Sequence, residues 1–190
     1  VKDEMSTHKV YYTDDGRAMH VFDGLFDLQT RTRFFMFIKN SKFLITGGGG
    51  VEPEDVADQQ FQSMYSFEQL LDFGMMEKHN SDGFAEVIEG YAPIRSYALA
   101  TNYTSQPHFH PDPPGLTLLY YANMKWDKDW GGETMFADDT LDEIIYTSMY
   151  VPGRVVIFDS SIPHKPCTPT IKANPFRFTY VINFKKLEAE

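Results

Sequence analysis

Six histidines are spread along the 190-residue chain, and two of them stand in settings that suit metal chemistry. His110-Pro111-Asp112 is a His-x-Asp pair, and His164 lies just past the hydrophobic run 154–159, which the turn at Pro152-Gly153 feeds. In an extended strand residues i and i+2 project to one face, so the His110 imidazole and the Asp112 carboxylate can share an ion. A third ligand from a distant strand closes one triangular face of an octahedron. Two histidines and one carboxylate leave coordination positions open, the arrangement that selects non-haem Fe(II) bound for a cosubstrate and oxygen. Alone, a His-x-Asp pair is a common chance spacing, and a lone histidine after a strand is more often structural than ligating. The reading rests on the two together.

A cation follows. In Arg177-Phe178-Thr179-Tyr180-Val181-Ile182-Asn183-Phe184 the aromatic and aliphatic residues at even positions alternate with Arg177, Thr179, Val181 and Asn183. An arginine on the polar face of such a strand is costly unless it meets an anion. Its fork suits a bidentate clamp on the distal carboxylate of a dicarboxylate ligand, with Thr179 beside it on the same face. Lys165 and Lys172 are the rival cations, but no strand aims Lys172. Cys167 rules out an internal disulfide, being the single cysteine, and reads as a plain loop or buried thiol rather than a nucleophile.

The elements that must position these residues fall into two halves. In 1–94, short strands at 10–12 and 18–22 flank an Asp14-Asp15-Gly16 turn. Apolar spacing predicts a helix over 25–39, a strand over 43–46 and a helix-compatible stretch over 56–64. Ser66-Phe67-Glu68-Gln69 has the capping-box pattern and opens a short helix that Gly74 closes, and 83–89 adds a helical turn or two. Gly47-Gly48-Gly49-Gly50, followed by acidic residues, reads as an exposed connection, or else as a lid beside a site. From 95 onward, strands are expected at 96–103, 108–111, 116–123, 133–137, 144–150, 154–159 and 177–184. Turn signals separate them at intervals near ten residues. Many short, evenly spaced strands point to a sandwich or barrel, with the jelly roll a standard solution. The expectation is one domain over 1–190: a helical and short-strand buttress over 1–94, and a jelly-roll core over 95–190.

The order of motifs resembles the prolyl 4-hydroxylase-like 2-oxoglutarate/Fe(II) oxygenases. It runs from His110-x-Asp112 through Leu116-Thr117-Leu118-Leu119-Tyr120-Tyr121-Ala122-Asn123, Trp126 and Gly131-Gly132-Glu133-Thr134 to Pro152-Gly153-Arg154, His164 and Arg177. The tyrosine-pair strand with Asn123 and Trp126 is especially similar to the hypoxia-sensing prolyl hydroxylases. The resemblance spans about 96–184 and implies a double-stranded β-helix with iron on His110, Asp112 and His164. It further implies that Arg177 and Tyr121 hold the far carboxylate of 2-oxoglutarate, with Tyr103 as a pocket tyrosine. No catalytic side chain is expected beyond the metal ligands. The implied reaction consumes 2-oxoglutarate and O2, releases succinate and CO2, and hydroxylates a substrate C–H bond; a retained Asp112 goes with hydroxylation rather than halogenation. The substrate is a peptidyl proline or other protein side chain, or a free amino acid, sugar or metabolite. Arg95, Tyr97 and Trp130 are candidates for the entrance. Residues 168–171 with Asn174-Pro175 look like a small insertion before Arg177. Two other readings stay open: a cosubstrate-free cupin, whose His-x-His would match His108-Phe109-His110 although no glutamate follows in 111–115, and a non-catalytic jelly-roll binding module.

Composition bounds the rest. Hydrophobic residues at 42% and aromatics at 15% exclude disorder for the chain as a whole. A formal net charge of −10 repels phosphate backbones, so nucleic acid is not an expected partner. No apolar run approaches the roughly 20 residues a membrane span needs, and residues 1–12 lack a signal-peptide core. With its one cysteine, the expected setting is the cytoplasm.

Overall fold

Strand-forming residues flank the turn at Gly16. The computed structural model, which describes residues 6–46, 60–76, 83–173 and 176–188, closes them into a hairpin. β1 (Thr7–Tyr12) pairs antiparallel with β2 (Ala18–Asp23), from Thr7↔Asp23 to Tyr12↔Ala18. There follow α1 (Leu28–Lys39), β3 (Leu44–Thr46), β4 (Gln60–Tyr65), α2 (Phe67–Phe73), α3 (Phe84–Ile88) and β5 (Tyr91–Thr101). The second half supplies β6 (Leu116–Tyr121), β7 (Thr134–Ala137), β8 (Ile144–Ser148), β9 (Val155–Asp159), β10 (His164–Pro166) and β11 (Arg177–Lys186).

Eight strands form one antiparallel sheet in the order β1-β2-β9-β6-β11-β5-β4-β3, and three form a second in the order β10-β7-β8. This is a mainly β, jelly-roll architecture with supporting helices. The first half is more than a buttress, since β1 to β4 extend both edges of the large sheet. The period-2 alternation of β6, β9 and β11 divides the core in two. Leu118, Tyr120, Val155, Ile157, Tyr180 and Ile182 meet Phe34 and Ile38 of α1, Leu70 and Phe73 of α2 and Phe84 of α3. Leu119, Tyr121, Val156, Phe158 and Val181 face the other way, toward Phe136 of the small sheet.

Several local expectations shift. The helix predicted from residue 25 starts at Leu28, because the Asp27 carboxylate accepts from the Thr30 N–H at 2.7 Å and caps it there. Its buried face is Phe34 and Ile38, while Leu28 is exposed. The helix-compatible stretch 56–64 is a strand over its described part, Gln60–Tyr65. There the main chain completes the ladder along β5, from Phe61↔Ala100 to Tyr65↔Ser96, and that pairing overrides a weak helical period. The segment 108–111 is not a strand: only His110 makes a bridge, since Pro107, Pro111, Pro113 and Pro114 offer no N–H to a ladder. His164, expected beyond a strand end, opens a strand of its own, β10, which pairs with β7. The Ser66 capping box forms as expected, with Ser66 N–H donating to Gln69 Oε1 at 2.8 Å and Gly74 closing the helix at φ 72°. The four-glycine stretch and the acidic residues after it lie outside the described residues.

Phe34 joins these layers. It is fully buried, stacks on Phe73 at 4.3 Å between centroids and meets Tyr120 edge-on at 5.6 Å. Phe34→Ala is expected to lower the unfolding free energy by about 3–5 kcal/mol, read by urea denaturation. Phe34→Leu should lower it by less than half as much; equal losses would mean that Phe34 fills no specific space.

Candidate metal centre

Backbone pairing brings the distant ligands together. His110 and His164 exchange both main-chain hydrogen bonds, at 3.1 and 3.0 Å, as one antiparallel bridge. Residues directly opposite in such a pair put their side chains on the same side, and here the ring centroids are 4.6 Å apart. Asp112, two residues on, is tied down by its N–H donating to the Ser160 carbonyl at 2.8 Å. The donor atoms of His110, Asp112 and His164 all lie within 4.8 Å of one another, with His164 Nε2 3.6 Å from Asp112 Oδ2.

The hydrogen bonds around the trio decide which atoms face inward. His110 Nδ1 lies 3.1 Å from the His108 carbonyl and His164 Nδ1 3.0 Å from the Ile162 carbonyl. A carbonyl only accepts, so each Nδ1 carries hydrogen, and a neutral ring then leaves Nε2 as a bare lone pair. Burial pushes the His164 pKa down to about 4, against the pull of the Asp112 charge, so this ring is neutral near pH 7. The 3.6 Å approach to Asp112 is therefore not an ion pair at that pH. A nitrogen lone pair facing a carboxylate is unfavourable without a cation between them, and these donors suit one. Asp112 Oδ2 in turn accepts from Thr117 Oγ1 at 2.7 Å and Asn183 Nδ2 at 3.3 Å, and Thr117 also meets Ser160 Oγ at 2.9 Å.

The trio lines a cavity of about 380 Å³, which residues of the neighbouring strands β5, β11 and β6 wall on one side and which reaches Arg177. Arg177 is fully buried; its Nε donates to the Gly132 carbonyl at 2.6 Å and its Nη2 to Thr134 Oγ1 at 2.9 Å. Among the described residues Nη1 has no partner, and neither has the buried Thr179 hydroxyl in the same cavity wall. Among the described residues no carboxylate pairs with Arg177. A buried guanidinium with a spare donor beside an unpartnered hydroxyl fits the far carboxylate of a dicarboxylate ligand such as 2-oxoglutarate.

The surrounding motif residues hold that arginine in place. Asn123 accepts from Phe178 N–H at 2.8 Å and donates to the Phe176 carbonyl at 3.0 Å, bracketing Arg177 on both sides. A Cβ on Gly132 would come within 2.9 Å of the Trp126 ring and 3.2 Å of Arg177 Cδ, so only glycine lets the chain pass this close. Tyr121 is buried behind the cavity wall, and its hydroxyl donates to Thr134 Oγ1 at 3.0 Å, with Arg177 over its ring. It touches Arg177 and Thr134 rather than the cavity itself. Tyr103 is 56% exposed on the turn after β5, because the strand ends at Thr101, and it is not among the residues lining the cavity.

The tyrosine of that strand which lines the cavity is Tyr97, whose hydroxyl burial holds firmly in its neutral form, with the Asp112 charge adding to the effect. Arg95 lines the mouth, as does Gln62, which had no sequence signal; Trp130 does not line it and packs on Trp126. The rival cations lie elsewhere: Lys165 covers the Phe109 ring at 4.8 Å and Lys172 sits on a turn. His108 borders the cavity but is not part of the donor trio. Burial and the Glu133 carboxylate push the Cys167 thiol up to about 11, which leaves it a poor nucleophile. Thr117, Thr134 and Asn183, named in the motifs or the strand pattern but given no role there, contact Asp112 or Arg177. Strand parity was the available signal, since each is a polar residue on the inward face of an apolar strand.

No family model matches the chain, and no curated protein matches it. Solved structures do. A 2OG-Fe(II) oxygenase family oxidoreductase from Burkholderia pseudomallei superposes with TM-score 0.61 at 12% identity, covering 85% of this chain and 81% of the other. A prolyl hydroxylase from Trichoplax adhaerens, solved with a hypoxia inducible factor peptide fragment, gives 0.57 at 14% identity over 88% and 83%. The non-heme alpha ketoglutarate dependent epimerase SnoN, from nogalamycin biosynthesis, gives 0.63 at 13% identity over 88% and 78%. The chain has the fold of the 2OG-Fe(II) oxygenases, and a His-Asp-His cluster lies in its cavity.

The Thr117 hydroxyl gives a direct test of the trio. Thr117→Val removes one donor to Asp112 at constant shape and is expected to weaken Mn(II) binding about 10- to 100-fold by electron paramagnetic resonance titration, while Thr117→Ser retains most of it. Unchanged affinity in the valine variant would mean that the Thr117 hydrogen bond does not orient Asp112 toward an ion.

Proposed function

We propose that this chain is a non-haem Fe(II) and 2-oxoglutarate-dependent dioxygenase that hydroxylates a C–H bond and releases succinate and CO2. The observation that carries this is the buried Arg177, with Nη1 unpartnered among the described residues, in the wall of the cavity that His110, Asp112 and His164 also line. Those three would hold the iron, which with its cosubstrate supplies the oxidising power when bound. Arg177 and Thr179 would bind the far carboxylate. Tyr121 acts on Arg177 from behind, through Thr134. Leu119, Phe158 and Val181 give the cavity its apolar wall, which keeps water from the reacting centre.

Two substrate classes follow. A peptidyl proline or other protein side chain is the first, supported by the motif order and by the shared fold with a prolyl hydroxylase. A small metabolite is the second, supported by the same fold in an epimerase from a biosynthetic pathway.

Under nitrogen, Fe(II) with 2-oxoglutarate is expected to give a visible charge-transfer band on this protein. Arg177→Met should raise the 2-oxoglutarate needed for half-saturation by at least about thirtyfold, since an unpaired buried carboxylate costs 2 kcal/mol or more, and leave Mn(II) affinity within about threefold. Lys172→Ala should change neither. If metal-loaded protein takes up no 2-oxoglutarate, the reading is wrong.

A further inference from the structure

The cavity is charged against the sign of the chain. The chain carries −10 overall, yet among the described residues lining the cavity the single carboxylate is Asp112, faced by two arginines, Arg177 and Arg95. They stand on one strand pair: Arg177 opens it, across from Thr101, and Arg95 lies further along, across from Asn183. Six residues of strand separate the two, roughly 20 Å of backbone. Asn183 is the residue that donates to Asp112, so Arg95 stands at the metal end of the cavity and Arg177 at the far end.

Arg95 is held in readiness. Its guanidinium lies over the Tyr97 ring, 4.3 Å from the centroid. Among the described residues no carboxylate forms an ion pair with it. The charge count of a loaded site then leaves it over. A ferrous ion and two arginines bring four positive charges; Asp112 and a 2-oxoglutarate dianion bring three negative ones. One positive charge is unbalanced, and it is Arg95, the cation that neither the metal nor the cosubstrate uses. Arg95 is exposed where it borders the cavity, so water screens it in part, and the excess still favours an anionic occupant.

We propose that Arg95 is a specificity residue for a substrate bearing a carboxylate, which binds with its acid group on Arg95 and its reacting C–H bond toward His110, Asp112 and His164. The position of the C–H bond and the charge count of the loaded site rest on the oxygenase reading; the place of Arg95 in the cavity lining, with no carboxylate partner among the described residues, does not. The carboxylate is that of a free carboxylic acid or of an acidic side chain in a peptide, and the two sources are separable.

The test is calorimetric binding to protein loaded with Mn(II) and 2-oxoglutarate. The probes are matched pairs: N-acetyl-L-amino acids against their amides, and the peptide Gly-Glu-Gly against Gly-Gln-Gly, each with both ends blocked. An acid is expected to bind about tenfold tighter than its amide. Arg95→Gln should erase that preference and leave the amide affinity unchanged, and Arg95→Lys should keep part of it. A preference confined to the N-acetyl acids identifies a free acid, and one confined to the glutamate peptide identifies a side chain. Equal binding of acids and amides to the wild type, no binding of any acid at millimolar concentration, or a preference that survives Arg95→Gln overturns the proposal. Failure of the oxygenase reading shows separately, as no 2-oxoglutarate uptake, and the acid–amide comparison on Mn(II)-loaded protein alone still decides the role of Arg95.

Discussion

Two main-chain hydrogen bonds between His110 and His164 hold together a site whose parts are far apart in sequence. Neither residue needs a packing partner to find the other, because an antiparallel bridge fixes both the spacing and the side of the ladder on which the rings emerge. Asp112 inherits its direction from the same geometry, two residues further and anchored on Ser160. The proline-rich run around it cannot join a longer strand, so the small sheet borrows only this one residue pair from it. Everything said of metal chemistry depends on that bridge.

A second constraint is the burial of Arg177. A fully buried guanidinium is tolerated only where its donors are met, and among the described residues protein atoms meet them at Nε and Nη2 alone. Much of the sequence between 121 and 134 exists to satisfy this one side chain. Asn123 brackets its backbone, Gly132 makes room and supplies a carbonyl, and Thr134 accepts a hydrogen bond while Tyr121 supports Thr134. The spacing of tyrosine, asparagine, tryptophan and the glycine pair is the linear trace of a cage around a cation.

How far the sequence discloses this depends on the range of the interactions involved. Strand parity is a local property, and it is readable in 177–184, where Arg177, Thr179 and Val181 line the cavity and the even residues join the core on the helix side. Capping is local too, as at Ser66. The strand β4 is not readable as one, because its identity comes from the edge of β5 rather than from its own residues. Nor is β10, three residues long and defined by its pairing with β7. Tyr103 illustrates the same limit within the candidate site. It stands near the His-x-Asp pair in sequence, but β5 ends two residues before it, and Tyr97, further back, is the tyrosine that reaches the cavity. Thr117 and Asn183 look like ordinary strand residues until Asp112 is seen between them.

The bridge that aligns the two imidazoles is made by main-chain atoms, which are indifferent to the side chains they carry. Positions 110, 112 and 164 thus behave as sockets: the backbone sets where a side chain emerges, and the residue installed there sets what it can grip. A frame of this kind can exchange its ligands without being rebuilt, which makes it tolerant ground for redesign, whether by mutation over evolutionary time or at the bench. The arginine cage lacks that freedom, since its close approach at Gly132 leaves no space for another atom.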